Sequence, residues 1–145
     1  MKVILDHIDD GNEEVIIKYK NLNDRIEGIV RYIEQQGDKL LGMKDDQQCI
    51  IKLPDVIYLE SVDGITYLYT DTDVYRTNLT LTTFEMTYSE EGFFRCSKSM
   101  VIHIYRIQRL KSISGNRIDV TMDNGEHVII SRKYTKELRR IIKGE

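Results

Sequence analysis

The sequence of 145 residues contains no tryptophan, one proline, two cysteines and no long apolar run. A membrane-spanning helix needs about 20 consecutive apolar residues, so we predict no such helix. Cys49 and Cys96 are far apart and form no CxxC pair. Because the first residues also lack the pattern of an export signal, we expect a cytoplasmic protein with reduced thiols.

The sequence also lacks the residue patterns of common catalytic and metal-binding sites. Its three histidines, His7, His103 and His127, are isolated from one another, and none has a second ligand at metal-binding spacing. There is no glycine-rich phosphate loop and no nucleophile-elbow serine motif. We therefore predict a protein that is not an enzyme, with no catalytic residue, metal, cofactor or small-molecule substrate.

Charge is distributed unequally along the chain, although the formal net charge is only −3. Residues 1–91 contain 9 Lys and Arg against 19 Asp and Glu, whereas residues 92–145 contain 12 against 5. A basic half of this kind predicts contact with a polyanion such as DNA. The alternative is that the basic half complements the acidic half within the molecule, and composition alone does not separate the two.

Residues 1–38 predict a small β-β-α segment. Apolar runs at 2–8 and 14–19 flank an Asp-Asp-Gly-Asn turn signal and favour two strands. The next apolar residues recur at helical spacing: Ile26, Ile29, Val30 and Ile33. Asp24, followed three residues later by Glu27, resembles a capping box that would begin this helix.

From residue 39 onwards the pattern favours short strands in antiparallel sheets, because turn signals recur every few residues. The first candidate strands are 40–44, 47–53, 56–60, 65–70 and 73–77. In segment 79–88 the threonines favour a strand. The apolar residues there have helical spacing, and we favour a helix.

The clearest local signal is Asn124-Gly125 between two alternating runs, which predicts a hairpin. A type I′ turn at this position would need positive φ at both residues. Ser131 is then expected to cap a closing helix. Its predicted apolar face contains Tyr134, Leu138, Ile141 and Ile142, and the other face contains Lys133, Lys136, Arg140 and Lys143.

Two basic clusters are candidate phosphate-binding sites. In the first, Arg95, Lys98 and Ser99 follow two phenylalanines, and cations interleaved with hydroxyls suit phosphate contact. Taken alone, that stretch is better explained as a loop whose serines bond to local backbone. In the second, Arg132 and Lys133 open the closing helix, where each cation opposes the macrodipole by about 0.3–1 kcal/mol. This local cost favours a functional site for phosphate or guanine.

Cys96 has two interpretations. Neighbouring Arg95 and Lys98 would lower the pKa of its thiol and create a redox sensor. The more common outcome for such a residue is a small buried thiol in the core.

Several stretches, in this order, resemble the LytTR DNA-binding domain family. They are Asp-Val-Ile-Tyr-Leu-Glu-Ser-Val-Asp-Gly-Ile-Thr-Tyr at 55–67, Phe-Phe-Arg-Cys-Ser-Lys-Ser-Met-Val-Ile-His at 93–103, Asn-Gly-Glu at 124–126 and Ile-Ser-Arg-Lys-Tyr at 130–134. The likeness spans about residues 40–143. One departure is His103, where the family usually has Asn, and it affects local hydrogen bonding rather than the fold.

The resemblance implies a mainly β fold with a few helices, α+β overall, built as an elongated set of small antiparallel sheets. This domain would occupy residues 39–145. The β-β-α extension at 1–38 is too short for the receiver domain that many family members carry. It would serve as a self-association surface or a dock for an inhibitor, or equally as an end cap on the sheet.

The resemblance also implies that loops, rather than a recognition helix, enter two successive major grooves and the minor groove between them. Thr66 would lie in one major groove and Lys98 near the minor groove. Lys133, with Arg132 beside it, would lie in the other major groove. Two further residues would contact phosphate: Arg95 and Ser99.

By this resemblance the chain is a bacterial transcriptional regulator that reads direct-repeat promoter sites in double-stranded DNA as a homodimer. It looks like the small stand-alone class, some of whose members are restrained by an inhibitory membrane protein. The alternative is a non-enzymatic interaction module whose basic C-terminal half docks onto an acidic or membrane-associated protein.

Overall fold

A computed structural model describes residues 1–34 and 38–144, and the chain divides into two compact units, Met1–Gln36 and Gly37–Glu145. The described part contains three α-helices and ten strands, and all the strands belong to the second unit. None of the described helices is long and apolar enough to cross a membrane.

The first unit contains helix α1 (Asp24–Glu34). Asn23 caps it, because its side-chain oxygen accepts a hydrogen bond from the N–H of Ile26 (3.0 Å). The predicted capping box at Asp24 and Glu27 is therefore wrong by one residue, although the helix is confirmed.

The two strands predicted at 2–8 and 14–19 are wrong for a single copy of the chain, since neither range contains a strand. Val3, Leu5 and Ile16 are all exposed there. The residues have strand propensity, but a two-stranded hairpin without further cover is marginal in water. Of the predicted β-β-α segment, only the helix forms.

The second unit contains a seven-stranded antiparallel sheet, which agrees with the prediction of short antiparallel strands. Its strands in chain order are β1 (Lys39–Lys44), β2 (Gln47–Lys52), β3 (Tyr58–Val62), β4 (Ile65–Tyr69), β5 (Val74–Thr77), β6 (Phe93–Ser97) and β7 (Met100–His103). They are arranged in the order β2-β1-β5-β4-β3-β7-β6.

A second sheet and two helices complete this unit. The sheet contains β8 (Ile107–Ile113), β9 (Arg117–Met122) and β10 (His127–Ile130) in the order β10-β9-β8. Helix α2 (Leu81–Tyr88) confirms the helix favoured for 79–88, and α3 (Arg132–Ile142) is the predicted closing helix. On α3, Leu138 is buried, whereas Ile141 and Ile142 remain partly exposed.

The predicted hairpin at Asn124-Gly125 is present, but its type I′ turn is wrong. Gly125 has a φ of +90°, and Asn124 is not among the described residues with positive φ. Instead, the N–H of Gly125 donates to the carbonyl of Met122 (2.9 Å), as in a longer loop ending in a left-handed glycine. Positive φ at two successive residues occurs at Asp45 and Asp46 (51° and 62°), a conformation that aspartate tolerates.

Two apolar cores lie in the second unit. The first lies between the large sheet and α2 and contains Leu40, Ile51, Leu53, Val56, Leu59, Leu68, Leu81, Phe84, Phe93 and Val101. The second joins the small sheet and α3 to the large sheet and contains Ile57, Phe94, Cys96, Ile102, Ile118, Val120, Met122, Val128, Ile130 and Leu138.

Strands β6 and β7 contribute to both cores. Side chains alternate across a strand, so Phe93 and Val101 enter the first core. Phe94 and Ile102 enter the second core. The turn between these strands therefore extends from the part of the sheet that is packed on both faces.

Candidate nucleic-acid interface

Two backbone hydrogen bonds bring together loops that are far apart in sequence. The N–H of Ser61, at the end of β3, donates to the carbonyl of Ser99 in the β6–β7 turn (2.8 Å). The N–H of Ser131, just before α3, donates to the carbonyl of Cys96 on β6 (2.9 Å). The β3–β4 turn, the β6–β7 turn and the start of α3 therefore lie at one end of the strands.

The β8–β9 turn joins this group through α3. The hydroxyl of Thr135, in the first turn of α3, donates to the carbonyl of Asn116 (3.0 Å). The next residue, Arg117, is exposed, and its Nε donates to the carbonyl of Ser114 (3.0 Å). We call these four segments the loop end: residues 62–65, 98–99, 114–117 and 131–133.

Within the loop end, Lys98, Arg132 and Lys133 are exposed. None of the ion pairs found among residues 1–34 and 38–144 involves any of the three. Lys133 contacts the ring of Tyr134, with its Nζ 5.5 Å from the ring centre. In the part of the chain that the structure describes, no carboxylate pairs with the three cations, which leaves them available to an external anion.

Ser131 occupies the position before the first turn of α3, but its side chain makes no capping hydrogen bond. Ser131 therefore occupies the predicted N-cap position, but its side chain does not cap the helix. The N–H of Tyr134 donates to the carbonyl of Ser131 (2.9 Å), which leaves the N–H groups of Arg132 and Lys133 with the capacity to bind an anion.

Arg95 shapes the β6–β7 turn. Its Nε donates to the carbonyl of Ser97 (2.7 Å) and its Nη2 to the carbonyl of Lys98 (2.5 Å). Its Nη1 also lies 3.8 Å from a carboxylate oxygen of Glu85 on α2. Because these donors point into the protein, Arg95 positions Lys98 rather than presenting a free guanidinium.

Ser99, the other expected phosphate contact, is exposed at the tip of the turn. Its N–H lies 3.2 Å from the hydroxyl oxygen of Ser97 and donates to it. The expected hydrogen bond between a serine hydroxyl and the local backbone is therefore made by Ser97. The side chain of Ser99 lies at the surface.

Thr66 lies in a different environment from the other expected contacts. It is only 7% exposed and lies on β4 between Ser61 on β3 and Thr77 on β5. A side chain that reads a base edge must project from the surface, so we leave Thr66 out of the interface. The turn that precedes it carries Asp63 and Gly64 at its tip, with positive φ at both.

Arg117 is a further cation of the loop end, outside both basic clusters of the sequence. The Gly115-Asn116 pair immediately before it is a sequence signal for a turn. The structure confirms the turn, with φ of 78° and 58° at these residues. What the sequence could not supply was the contact of this turn with α3.

At the opposite end of the strands, Arg106 connects three loops. It binds both carboxylate oxygens of Asp123 (2.9 Å each) and those of Asp71 (2.9 and 3.0 Å). It also donates to the carbonyl of Asp55 (3.3 Å). Hydrogen bonding to Asp123, and then to Asp71, raises the pKa of Arg106 above its ordinary value. Acidic and basic residues thus pair at this end, whereas the described residues show no such ion pair at Lys98, Arg132 or Lys133.

Cys96 is fully buried, and its thiol lies 3.5 Å from the carbonyl of Met100. Burial raises the pKa of this thiol to about 12. The redox-sensor interpretation of Cys96 is therefore wrong, and the core-thiol interpretation holds. The adjacent Arg95 lowers the thiol pKa less than burial raises it.

His103 forms a buried hydrogen bond between chain segments. Its Nδ1 lies 2.9 Å from the carbonyl oxygen of Val56 and, because a carbonyl only accepts, Nδ1 carries the proton. Its ring stacks on Phe93, with centroids 4.4 Å apart. Burial lowers the pKa of His103 below the ordinary 6.5, so the ring is neutral.

The model of the LytTr DNA-binding domain family matches residues 46–143. Among curated proteins, the sensory transduction protein LytT of Bacillus anthracis is 27% identical over 94 residues, covering 65% of this chain and 38% of that protein. The transcriptional regulatory protein YpdB of Escherichia coli K12 is 23% identical over 111 residues, covering 76% and 46%. The chain thus spans less than half the length of these two relatives.

The fold agrees with a solved structure. A LytTr DNA-binding domain from Bacillus cereus superposes with a TM-score of 0.68 at 24% sequence identity. The superposition covers 72% of this chain and 95% of that domain. The second unit therefore has the same arrangement of strands and helices as that domain.

Proposed function

Because this chain belongs to the LytTr DNA-binding domain family, we propose that it regulates transcription by binding specific double-stranded DNA sequences through the loop end. One observation carries the assignment of the surface. Lys98, Arg132 and Lys133 come together at one end of the strands through the Ser131–Cys96 backbone hydrogen bond, and no carboxylate pairs with them among the described ion pairs.

Binding begins with electrostatic capture. Exposed cations at the loop end replace counterions condensed on the phosphates, which makes association favourable and dependent on salt. Phosphate contacts then fix the orientation of the protein, while side chains that reach base edges supply specificity. Lys98 and Arg117 suit the first task. Arg132 and Lys133 project from the start of α3 and suit base readout in a major groove.

We propose that the DNA site consists of two direct repeats occupied by a homodimer. Each domain presents one loop end, and two domains on one face of the duplex require half-sites separated by whole helical turns. The relatives named above come from bacteria, which supports a bacterial regulator acting in the cytoplasm, where its DNA is found. An inhibitory membrane protein remains a proposed partner.

A salt titration tests DNA binding against the alternative of docking to an acidic protein. If Lys98 and Arg117 contact phosphate, log Kd should rise linearly with log salt, with a slope of about 2 per protomer at about 0.9 per contact. The site itself is first obtained by selecting bound fragments from random DNA. Failure to enrich any sequence, together with a slope near zero, would overturn the proposed function.

A further inference from the structure

The first unit exposes apolar residues that have the pattern of strands but no strand partner in a single copy. Val15 is 66% exposed and Tyr19 is 57% exposed, and Ile17 between them is half-buried. None of the three belongs to a strand. Exposed apolar surface that runs along a segment is unusual in a soluble monomer and marks an interaction site. The second run, residues 14–20, reads Glu-Val-Ile-Ile-Lys-Tyr-Lys. Alternation along a strand would place Val15, Ile17 and Tyr19 on one face, and Ile16 with the charged residues on the other.

We propose that residues 14–20 pair with the same residues of a second copy of this chain as antiparallel strands around a twofold axis. With Ile17 opposite its own symmetry mate, Val15 lies opposite Tyr19, and Glu14 lies opposite Lys20. The inference concerns the first unit and does not depend on DNA binding.

Charge complementarity identifies the occupant as a second copy. In this register each dimer contains two Glu14–Lys20 pairs, and oppositely charged cross-strand neighbours stabilise antiparallel strands. Parallel pairing in register would instead place Lys18 beside Lys18 and Lys20 beside Lys20, which is destabilising. A twofold interface requires a surface that complements itself, and this segment does so only in the antiparallel direction.

The apolar face of the paired strands would also have a cover. Val15, Ile17 and Tyr19 share one face of the strand because side chains alternate. In the same unit, Ile29 and Val30 of α1 are only half-buried. A strand pair needs further strands or a packed helix to be stable in water. One copy supplies a single strand and one α1. A dimer supplies two strands that pair with each other and two α1 helices that can cover them.

The pairing also explains why residues 14–19 are predicted as a strand from the sequence but form no strand in the structure of one copy. The residues predict a strand, since they include β-branched and aromatic residues. No strand forms there in one copy. A strand whose partner is the same strand of another molecule has this property.

Sedimentation equilibrium of the full chain without DNA tests the proposal through charge reversal. Lys20→Glu places Glu opposite Glu at two positions of the dimer, and Glu14→Lys places Lys opposite Lys. Each single variant should weaken self-association about ten-fold or more, because an attraction becomes a repulsion twice per dimer. The double variant, and an equimolar mixture of the two single variants, should restore it.

Matched controls change the same charge away from the pair. In the proposed register Lys18 faces Ile16 and Glu13 faces Asn21, so Lys18→Glu and Glu13→Lys should leave self-association within about two-fold of the unmodified chain. A monomeric chain at high micromolar concentration overturns the proposal. So does an equal effect of test and control variants, or a mixture that fails to reassociate. The readout does not involve DNA, so these failures are separate from failure of the proposed function.

Discussion

The guanidinium of Arg95 donates a hydrogen bond to the backbone carbonyl of Lys98, three residues along the chain (2.5 Å). The contact fixes the path of the β6–β7 turn, while the side chain of Lys98 stays exposed at its tip. One cation of this cluster therefore supports the turn, and the other faces solvent.

Lys98→Ala should weaken binding to all DNA sequences to a similar degree. Removing one phosphate contact should also lower the salt slope by about 0.9. Fluorescence anisotropy at several salt concentrations measures both quantities. Lys143→Ala is the matched control, because Lys143 follows the opposite end of α3, about 17 Å from Arg132 at 1.5 Å per residue. Equal slopes for the Lys98 variant and the unmodified chain would contradict the assignment.

Lys133→Ala and Arg132→Ala should relax sequence preference as well as weaken binding. A side chain that reads a base is worth about 1–3 kcal/mol of discrimination against the wrong base. The check is to repeat the selection from random DNA with each variant and compare preference at every position. A uniform loss of affinity with an unchanged motif would reassign these residues to phosphate contact.

Arg106→Ala should lower the free energy of unfolding by about 1–3 kcal/mol, because it leaves Asp71 and Asp123 without their hydrogen-bond donor. Both carboxylates are partly exposed, so solvent screening favours the lower part of that range. Urea denaturation followed by circular dichroism gives the value. The folded variant should keep its DNA affinity, since Arg106 lies opposite the loop end. A large loss of affinity with unchanged stability would count against this division of roles.

Stability should fall as the pH drops below about 6.5, because His103 is buried and its pKa is lowered in the folded state. In the unfolded chain the ring regains its ordinary pKa of 6.5 and binds a proton first. The unfolded state is therefore favoured progressively until the pH reaches the folded-state pKa, below which the loss is complete. Arg106 also lowers this pKa, whereas Asp123 raises it.

Thermal unfolding between pH 7.5 and 5.5 measures this dependence, with His103→Asn as the comparison. Asparagine can retain a side-chain donor near Val56 but does not titrate. The variant should therefore show a flatter profile over this range. Parallel profiles for the two proteins would exclude His103 as the source of the pH dependence.

Cys96 should not react with thiol reagents while the domain is folded, because burial raises the pKa of its thiol to about 12. Cys49 is only half-buried and should react first. Mass spectrometry after a short treatment with iodoacetamide identifies the modified residue. Mild peroxide should change DNA binding equally in the unmodified chain and in Cys96→Ala, and protection by that substitution would restore a redox role.

Local signals predicted much of the second unit. Asp45-Asp46 and Asp63-Gly64 both join neighbouring strands, as expected of turn residues that tolerate positive φ. The family resemblance is likewise confirmed, because each of its motifs is a short continuous stretch of the chain, such as a turn with its flanking strands. Such features need no knowledge of distant parts of the chain.

Features that depend on distant partners could not be predicted in this way. Thr66 lies on the same face of β4 as Leu68, which belongs to the first core, and this face is covered by residues distant in sequence. The additional contact of Arg95 with Glu85 depends on the placement of α2 beside the turn. Arg117 reaches the loop end through the contact between Thr135 and Asn116. Each depends on strand order or helix placement, which local periodicity does not specify.

Because β6 and β7 contribute to both apolar cores, the two cores cannot unfold independently of each other. Loosening the side of Phe84 or the side of Leu138 disturbs the same two strands, and the turn with Lys98 moves with them. Operator occupancy in a cell would thus decline in step with global unfolding, so that destabilising substitutions far from the duplex would act as loss-of-function alleles.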